Sequence, residues 1–178
     1  MKIDITTLMN KRAEKIDFEY GFDPAAVDCG VILPEDMTLT EPVRVAGEVK
    51  DMNNCMSLSC RVTARYRTVC DRCLDDIDGV LEFDVEKTVS IEAPPEGLED
   101  DPIYDEVVFV NESSLDIDPA LTEEIALRLP TYHLCSEDCP GLCPKCGKKL
   151  TEGGCECKNE KEIDPRLKIL QKLLDNFD

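Results

Sequence analysis

Residues 57–73 read S-L-S-C-R-V-T-A-R-Y-R-T-V-C-D-R-C. Leu58, Cys60, Val62, Ala64 and Tyr66 share one parity, and Arg61, Thr63, Arg65 and Arg67 share the other. Successive side chains of an extended chain point to opposite faces, so this pattern predicts a strand with one apolar and one basic face. It runs into a C-x2-C pair, Cys70 and Cys73, which falls in the turn that follows.

The flanking sequence repeats the strand signal. Val43, Val45 and Val49 suit a preceding strand, and Met52-Asn53-Asn54 is a turn. Residues 77–91 alternate again through Ile77, Leu81, Phe83, Val85 and Val89. The expectation is a three-stranded antiparallel meander from Pro42 to Ile91, and one apolar face needs a cover. Ile3 with Ile5, and Ile16 with Phe18 and Tyr20, suggest short strands ahead of it. Asp23-Pro24 permits a brief turn or helix through Val27, and residues 30–42, with Pro34 and Pro42, read as a connection or an edge.

Residues 92–106, E-A-P-P-E-G-L-E-D-D-P-I-Y-D-E, read as an acidic loop, and residues 107–110 as one more strand. Asp118-Pro119 has the form of an N-cap followed by proline at the first helical position. Leu121, Ile125 and Leu129 then recur at helical spacing, and Leu129-Pro130 ends the helix. That helix, 118–129, is the candidate cover. Asp164-Pro165 opens a last amphipathic helix bearing Leu167, Leu170, Leu173, Leu174 and Phe177. The fold expected is α+β. Residues 1–134 form an antiparallel β-sheet or partial barrel covered by a helix. Residues 135–178 add a cysteine-rich zinc-binding segment and the terminal helix.

The formal net charge is −19. Residues 1–134 hold 12 Lys and Arg against 30 Asp and Glu, whereas residues 135–178 hold 8 against 9. Such a surface repels phosphate backbones at long range and favours basic partners. The N-terminal residues carry no long apolar run, so the chain is expected in the cytoplasm, with no membrane contact. In a reducing compartment its eleven cysteines are read as metal ligands before disulfides.

Residues 135–157 read C-S-E-D-C-P-G-L-C-P-K-C-G-K-K-L-T-E-G-G-C-E-C. Cys143, Cys146, Cys155 and Cys157 form one quartet suited to tetrahedral zinc, with Gly147 after the first pair allowing the tight turn. The segment has little apolar surface, and metal binding can supply on the order of 10 kcal/mol of folding free energy to such a unit. Cys135 and Cys139 remain, and Cys70 and Cys73 are their candidate partners in a second four-thiolate site. The chain would then bind one Zn2+, or two if those pairs meet. Cys70 and Cys73 could instead be free thiols or a redox pair; the redox reading is weakened by Asp71 and Asp75, which raise a thiol pKa. Cys29, Cys55 and Cys60 are isolated, and the single histidine, His133, is a substitute ligand at most.

Sites made of four cysteines are closed, and no nucleophile, phosphate-loop or dinucleotide motif is present, so the chain reads as a non-enzyme. Arg61, Arg65 and Arg67, with Arg72 just beyond, are the basic feature of an acidic half. They are either a solvated sheet face paired with the acidic 92–106 loop or a docking stripe for RNA or an acidic partner, which Lys145, Lys148 and Lys149 could extend.

C-D-R-C-L (70–74), L-D-I-D-P-A-L-T-E-E-I-A-L-R-L-P (115–130), the cysteine segment closed by C-E-C (155–157), and D-P-R-L-K-I-L-Q-K-L (164–173) together resemble the bacterial YceD family, described as large ribosomal RNA subunit accumulation proteins. The resemblance implies a cytoplasmic, non-enzymatic role in the synthesis, processing or stability of large-subunit rRNA. It also suggests a ribosomal protein or large-subunit precursor particle as partner, while the acidic charge leaves RNA to be met through a local basic patch or a protein intermediary. The competing reading from another class is a thiol- or zinc-responsive regulatory protein using Cys70 and Cys73.

Overall fold

The computed structural model describes residues 2–31, 33–34, 36–52, 55–92, 102–151 and 153–157. The helix expected after Asp164, most of the acidic loop and part of the 52–54 turn lie outside the described residues. In chain order the strands are β1 Lys2–Asp4, β2 Lys15–Phe22, β3 Thr38–Leu39, β4 Val43–Asp51, β5 Met56–Val69, β6 Asp76–Ser90, β7 Val107–Asn111 and β8 Ser114–Asp116. The helices are α1 Thr6–Met9 and α2 Asp118–Arg128, with a 3-10 turn at Pro24–Ala26.

The expected meander is β4, β5 and β6. Met56, Leu58, Cys60, Val62, Ala64 and Tyr66 of β5 are buried, as their alternation requires. The register sets Val62 opposite Val45 on one side and Phe83 on the other, so the apolar rows meet across three strands. The whole sheet runs β1-β8-β7-β6-β5-β4-β2, with β3 paired to β5. One pair departs from the antiparallel expectation: β7 lies parallel to β6 over Thr88–Ser90. The connection from Ile91 to Glu106 is long enough for the crossover that a parallel neighbour needs.

The sheet curls into a nearly closed, mostly β barrel around one core, to which Ile3 of β1, Leu8 of α1, Val108 of β7 and Leu115 of β8 all contribute. From α2, Leu121 and Ile125 are fully buried in that core, together with Ile117 before it. The helix starts one residue earlier than its cap signal suggested. Ile117 is the N-cap and Asp118 is already helical. The Asp118 carboxylate is occupied elsewhere, accepting a 2.5 Å hydrogen bond from the Tyr20 hydroxyl on β2. Burial, and then this carboxylate, push the Tyr20 phenol well above its ordinary pKa.

A second tie joins α2 to the sheet. The Lys87 side chain on β6 is only 7% exposed, and its ammonium pairs with Glu124 at 2.7 Å and donates to the Asp105 carbonyl at 2.7 Å. Glu124 is held in turn by Arg128, whose guanidinium lies over the Phe83 ring at 4.6 Å. A buried ammonium is tolerated because each charge has a partner.

Gly47 of β4 stands opposite Cys60 of β5. A Cβ there would sit 2.3 Å from the Ser59 carbonyl oxygen and 2.4 Å from the Cys60 Cβ, so backbone itself would have to move. Gly47→Ala is expected to destabilise the fold by about 1–3 kcal/mol, the usual cost of overpacking. Urea unfolding should show a lower midpoint at unchanged slope; an unchanged midpoint would contradict this packing.

Candidate metal centres

The first centre is built on the β5–β6 turn. The Cys70 N–H donates to the Asp75 carbonyl at 2.8 Å and the Leu74 N–H to the Cys70 carbonyl at 2.9 Å, folding C-D-R-C back on itself. Leu74 takes a φ of 60° to close the turn. The chain leaving α2 returns to this turn. His133 and Asp71 bond reciprocally: the Asp71 N–H donates to the His133 carbonyl at 2.9 Å, and the His133 N–H to the Asp71 carboxylate at 2.7 Å. These bonds deliver Cys135 and Cys139 to Cys70 and Cys73.

The four sulfurs lie within 4.8 Å of one another. Cys70 Sγ is 3.8 Å from Cys139 Sγ, and Cys73 Sγ is 3.6 Å from Cys135 Sγ. Zinc–sulfur bonds of about 2.3 Å in a tetrahedron separate sulfurs by about 3.8 Å, whereas a disulfide requires about 2.05 Å. The spacing therefore fits four thiolates around one ion and not two disulfides. Cys70, Cys73 and Cys139 are buried, with Ile77 and Leu134 against them, and Cys135 is exposed.

The local electrostatics suit thiolate at Cys70. Burial raises its pKa, but the N–H groups of Cys135, Cys73 and Arg72 aim at the sulfur and together hold the thiol at about 6. The Cys135 N–H lies 3.5 Å from it. The net shift at this thiol is downward, and backbone donors lead the groups that lower it. Cys73 is the one pushed up: the Asp75 N–H lowers it, yet burial, the adjacent thiols and the Asp75 carboxylate outweigh that bond. A bound cation would reverse this balance.

The second centre is a knuckle hung on the first. Cys143, Cys146, Cys155 and Cys157 bring their sulfurs within the same 4.8 Å. The Gly147 N–H donates to the Cys143 carbonyl at 2.8 Å, and the Cys143 N–H to the Lys148 carbonyl at 2.9 Å, while Leu142 bridges Lys149 across the loop. Donation from the Cys146 N–H, then the Cys155 thiol and the Lys145 N–H, lower the Cys143 thiol to about 6. The Cys146 thiol and burial push Cys157 up to about 12. Cys143 is buried, Cys146 is exposed and the other two are half-buried.

The knuckle is tied to the β5–β6 turn at two points. The Leu142 N–H donates to the Arg72 carbonyl at 3.1 Å, and Lys149 pairs with Asp75. Gly141 precedes the first contact with a φ of 74°, and a Cβ there would meet the Arg72 carbonyl oxygen at 2.9 Å. Either quartet could hold a metal ion, and an all-thiolate donor set is the chemistry of a structural zinc site.

The arginines divide. Arg61 binds Asp84 through two nitrogens at 2.8 and 3.0 Å and lies 3.7 Å from Glu82. Arg67 donates to Asp78 at 2.8 Å, and Arg65 lies 3.6 Å from Glu41. Their carboxylate partners come from β6 and Glu41. Arg72 does not continue this stripe: its guanidinium donates to the carbonyls of Cys139 at 3.0 Å and Glu137 at 3.4 Å, fastening the loop between Cys135 and Cys139. Lys149 likewise belongs to the knuckle's attachment. These fastenings escape a reading of spacing, because Arg72 and Lys149 resemble surface cations until the turn and the knuckle are placed together. His133 joins neither quartet and sets its ring edge on Tyr66 at 5.7 Å. Cys60 is in the core, Cys29 half-buried and Cys55 exposed.

The family described as large ribosomal RNA subunit accumulation protein YceD matches residues 58–174, a span that includes all eight cysteines of the two quartets. An uncharacterized protein of Mycobacterium tuberculosis is 30% identical over 158 residues, covering 86% of this chain and 68% of that protein. The uncharacterized protein YlbN of Bacillus subtilis is 31% identical over 147 residues, covering 82% of each chain. No solved structure matches.

Purified protein should carry about two zinc ions per chain by elemental analysis, one for each closed quartet. Cys139→Ser and Cys146→Ser should each lose one ion and keep the other, and chelation should open residues 135–157 to protease while the sheet resists. Unchanged zinc content in either variant, or unchanged cleavage, would contradict the assignment.

Proposed function

The chain belongs to the YceD family of large ribosomal RNA subunit accumulation proteins, and we propose that it supports the accumulation of large-subunit rRNA as a non-enzymatic, zinc-stabilised binding factor in ribosome biogenesis. The family match carries this reading. The chemistry of the two quartets supports the non-enzymatic part. Each supplies four thiols to one centre and so leaves no coordination position for substrate or an attacking water.

Charge supports an indirect action on RNA. A net charge of −19 opposes approach to a phosphate backbone and attracts a basic protein. The partner proposed is a ribosomal protein or a large-subunit precursor particle in the cytoplasm. An acidic factor can shield the charge of a basic ribosomal protein until rRNA replaces it. No helix among the described residues is long and apolar enough to cross a membrane.

Depletion of the protein should lower large-subunit rRNA relative to small-subunit rRNA. The tagged chain, recovered at low salt, should bring down a ribosomal protein or precursor particle, and higher salt should release it. An unchanged rRNA ratio together with no ribosomal component in the recovered material would overturn the proposal.

A further inference from the structure

A strand at a sheet edge presents unmet N–H and C=O groups. Strand β6 has such an edge along most of its length. Its partner β7 reaches it only at Thr88–Ser90, while β5 pairs with it from Asp76 to Val89. Among the described residues, Asp76 to Glu86 therefore have a strand on one side only.

The register decides which backbone groups face outward. The Thr40 N–H bonds the Arg65 carbonyl at 2.9 Å, so Arg65 turns its backbone toward β3 and away from β6. Backbone direction alternates along an antiparallel strand. Ala64 and Tyr66 therefore bond β6 through their opposites Leu81 and Gly79. Asp78, Val80, Glu82, Asp84 and Glu86 then point their N–H and C=O groups to the open side. Thr88, of the same parity, agrees: its N–H reaches the Glu106 carbonyl at 2.8 Å on the β7 side.

The same parity carries the acids. Asp76, Asp78, Glu82, Asp84 and Glu86 stand in one exposed row. Strand β5 sets three arginines beside them, of which Arg61 and Arg67 pair within the row. Arg65 lies opposite Val80 and pairs away from the row, with Glu41. Negative charge is thus in excess on the open side. Facing the other way, Ile77 and Leu81 are only half-buried. The free edge of β2 offers less, because Lys15 pairs with Asp17 and Glu48, and Lys50 pairs with Glu48.

We propose that the open edge of β6 takes up an extended segment of a basic partner protein as an added strand. Lysine or arginine at alternate positions lies over the acidic row, and apolar side chains between them lie over Ile77 and Leu81. Main-chain bonds to the outward groups give affinity, and opposite-charge cross-strand pairs give specificity. A second copy of this chain would set one acidic row against another, and a nucleic acid would bring phosphates to it, so both are disfavoured. The proposal rests on the ribosomal-protein reading only for the identity of the partner.

The test uses the full zinc-loaded chain and a short blocked peptide that alternates lysine with valine. Amide exchange at Asp78, Val80, Glu82, Asp84 and Glu86 should slow by about tenfold or more when it binds. A peptide of the same composition, with its lysines and valines in separate blocks, should not protect these amides. Val80→Pro removes an outward N–H that β5 does not use, at a position where an edge tolerates proline, and should weaken binding by about tenfold. A second variant, Glu82→Lys with Glu86→Lys, should weaken binding and flatten its salt dependence. Equal binding of the block peptide, unprotected β6 amides in the bound state, or indifference to both variants would overturn the proposal. A chain that captures a ribosomal component from cells while its β6 amides ignore the peptide keeps the functional reading and loses the edge. The reverse result keeps the edge and removes the ribosomal identity of its partner.

Discussion

Four sulfurs at the tip of the β5–β6 hairpin decide where the last part of the chain can go. Cys73 and Cys135 are 62 residues apart in sequence, yet their sulfurs stand 3.6 Å apart. Closing a loop of that length and ordering a polar segment costs conformational entropy that little apolar contact offsets. Among the described residues, Ile77 and Leu134 are the hydrophobic side chains packed against the buried sulfurs. A metal ion held by these four thiolates would supply an interaction strong enough to set that balance. The Asp71–His133 bonds, the Arg72 clamp and the Asp75–Lys149 pair orient the thiols that would hold it.

The rest of the architecture follows from that attachment. The barrel has its own core and its own cover, since Leu121 and Ile125 of α2 are buried with the sheet. It acts as a platform, and the hairpin carries the thiol turn beyond it. The knuckle then fastens to the back of the same turn through Arg72 and Asp75. Charge is distributed accordingly. The cations Arg72 and Lys149 are used at the centres, near sulfurs that become negative when bound to metal. The barrel keeps its excess of carboxylates, including the row on β6, for whatever basic surface it meets.

Much of this was legible in the sequence. The parity of residues 57–69 gives β5, its faces and its neighbours, and C-x2-C with a following glycine gives the knuckle. Elements of three or four residues, such as β8 and α1, are too short for periodicity to register. The Asp118 cap signal misled by one residue, because a carboxylate that can cap a helix can equally accept a distant tyrosine hydroxyl. Spacing identified Cys70, Cys73, Cys135 and Cys139 as unsatisfied pairs; their meeting depends on how α2 returns the chain to the hairpin. The outward row on β6 shows why sequence alone is insufficient. Its acidic parity is plain, but which of its amides face outward is set by the β5–β6 register together with the Thr40–Arg65 and Thr88–Glu106 bonds.

X-ray absorption at the zinc edge tests the central claim most directly, because it reads the ligand atoms of both centres in the intact protein. The account predicts sulfur alone, four atoms per zinc at about 2.3 Å, in wild-type protein and also in a Cys143→Ser, Cys146→Ser variant that retains only the hairpin centre. A nitrogen or oxygen shell at about 2.0 Å in the variant, or no bound zinc there at all, would show that the Cys70–Cys139 quartet is not the clasp.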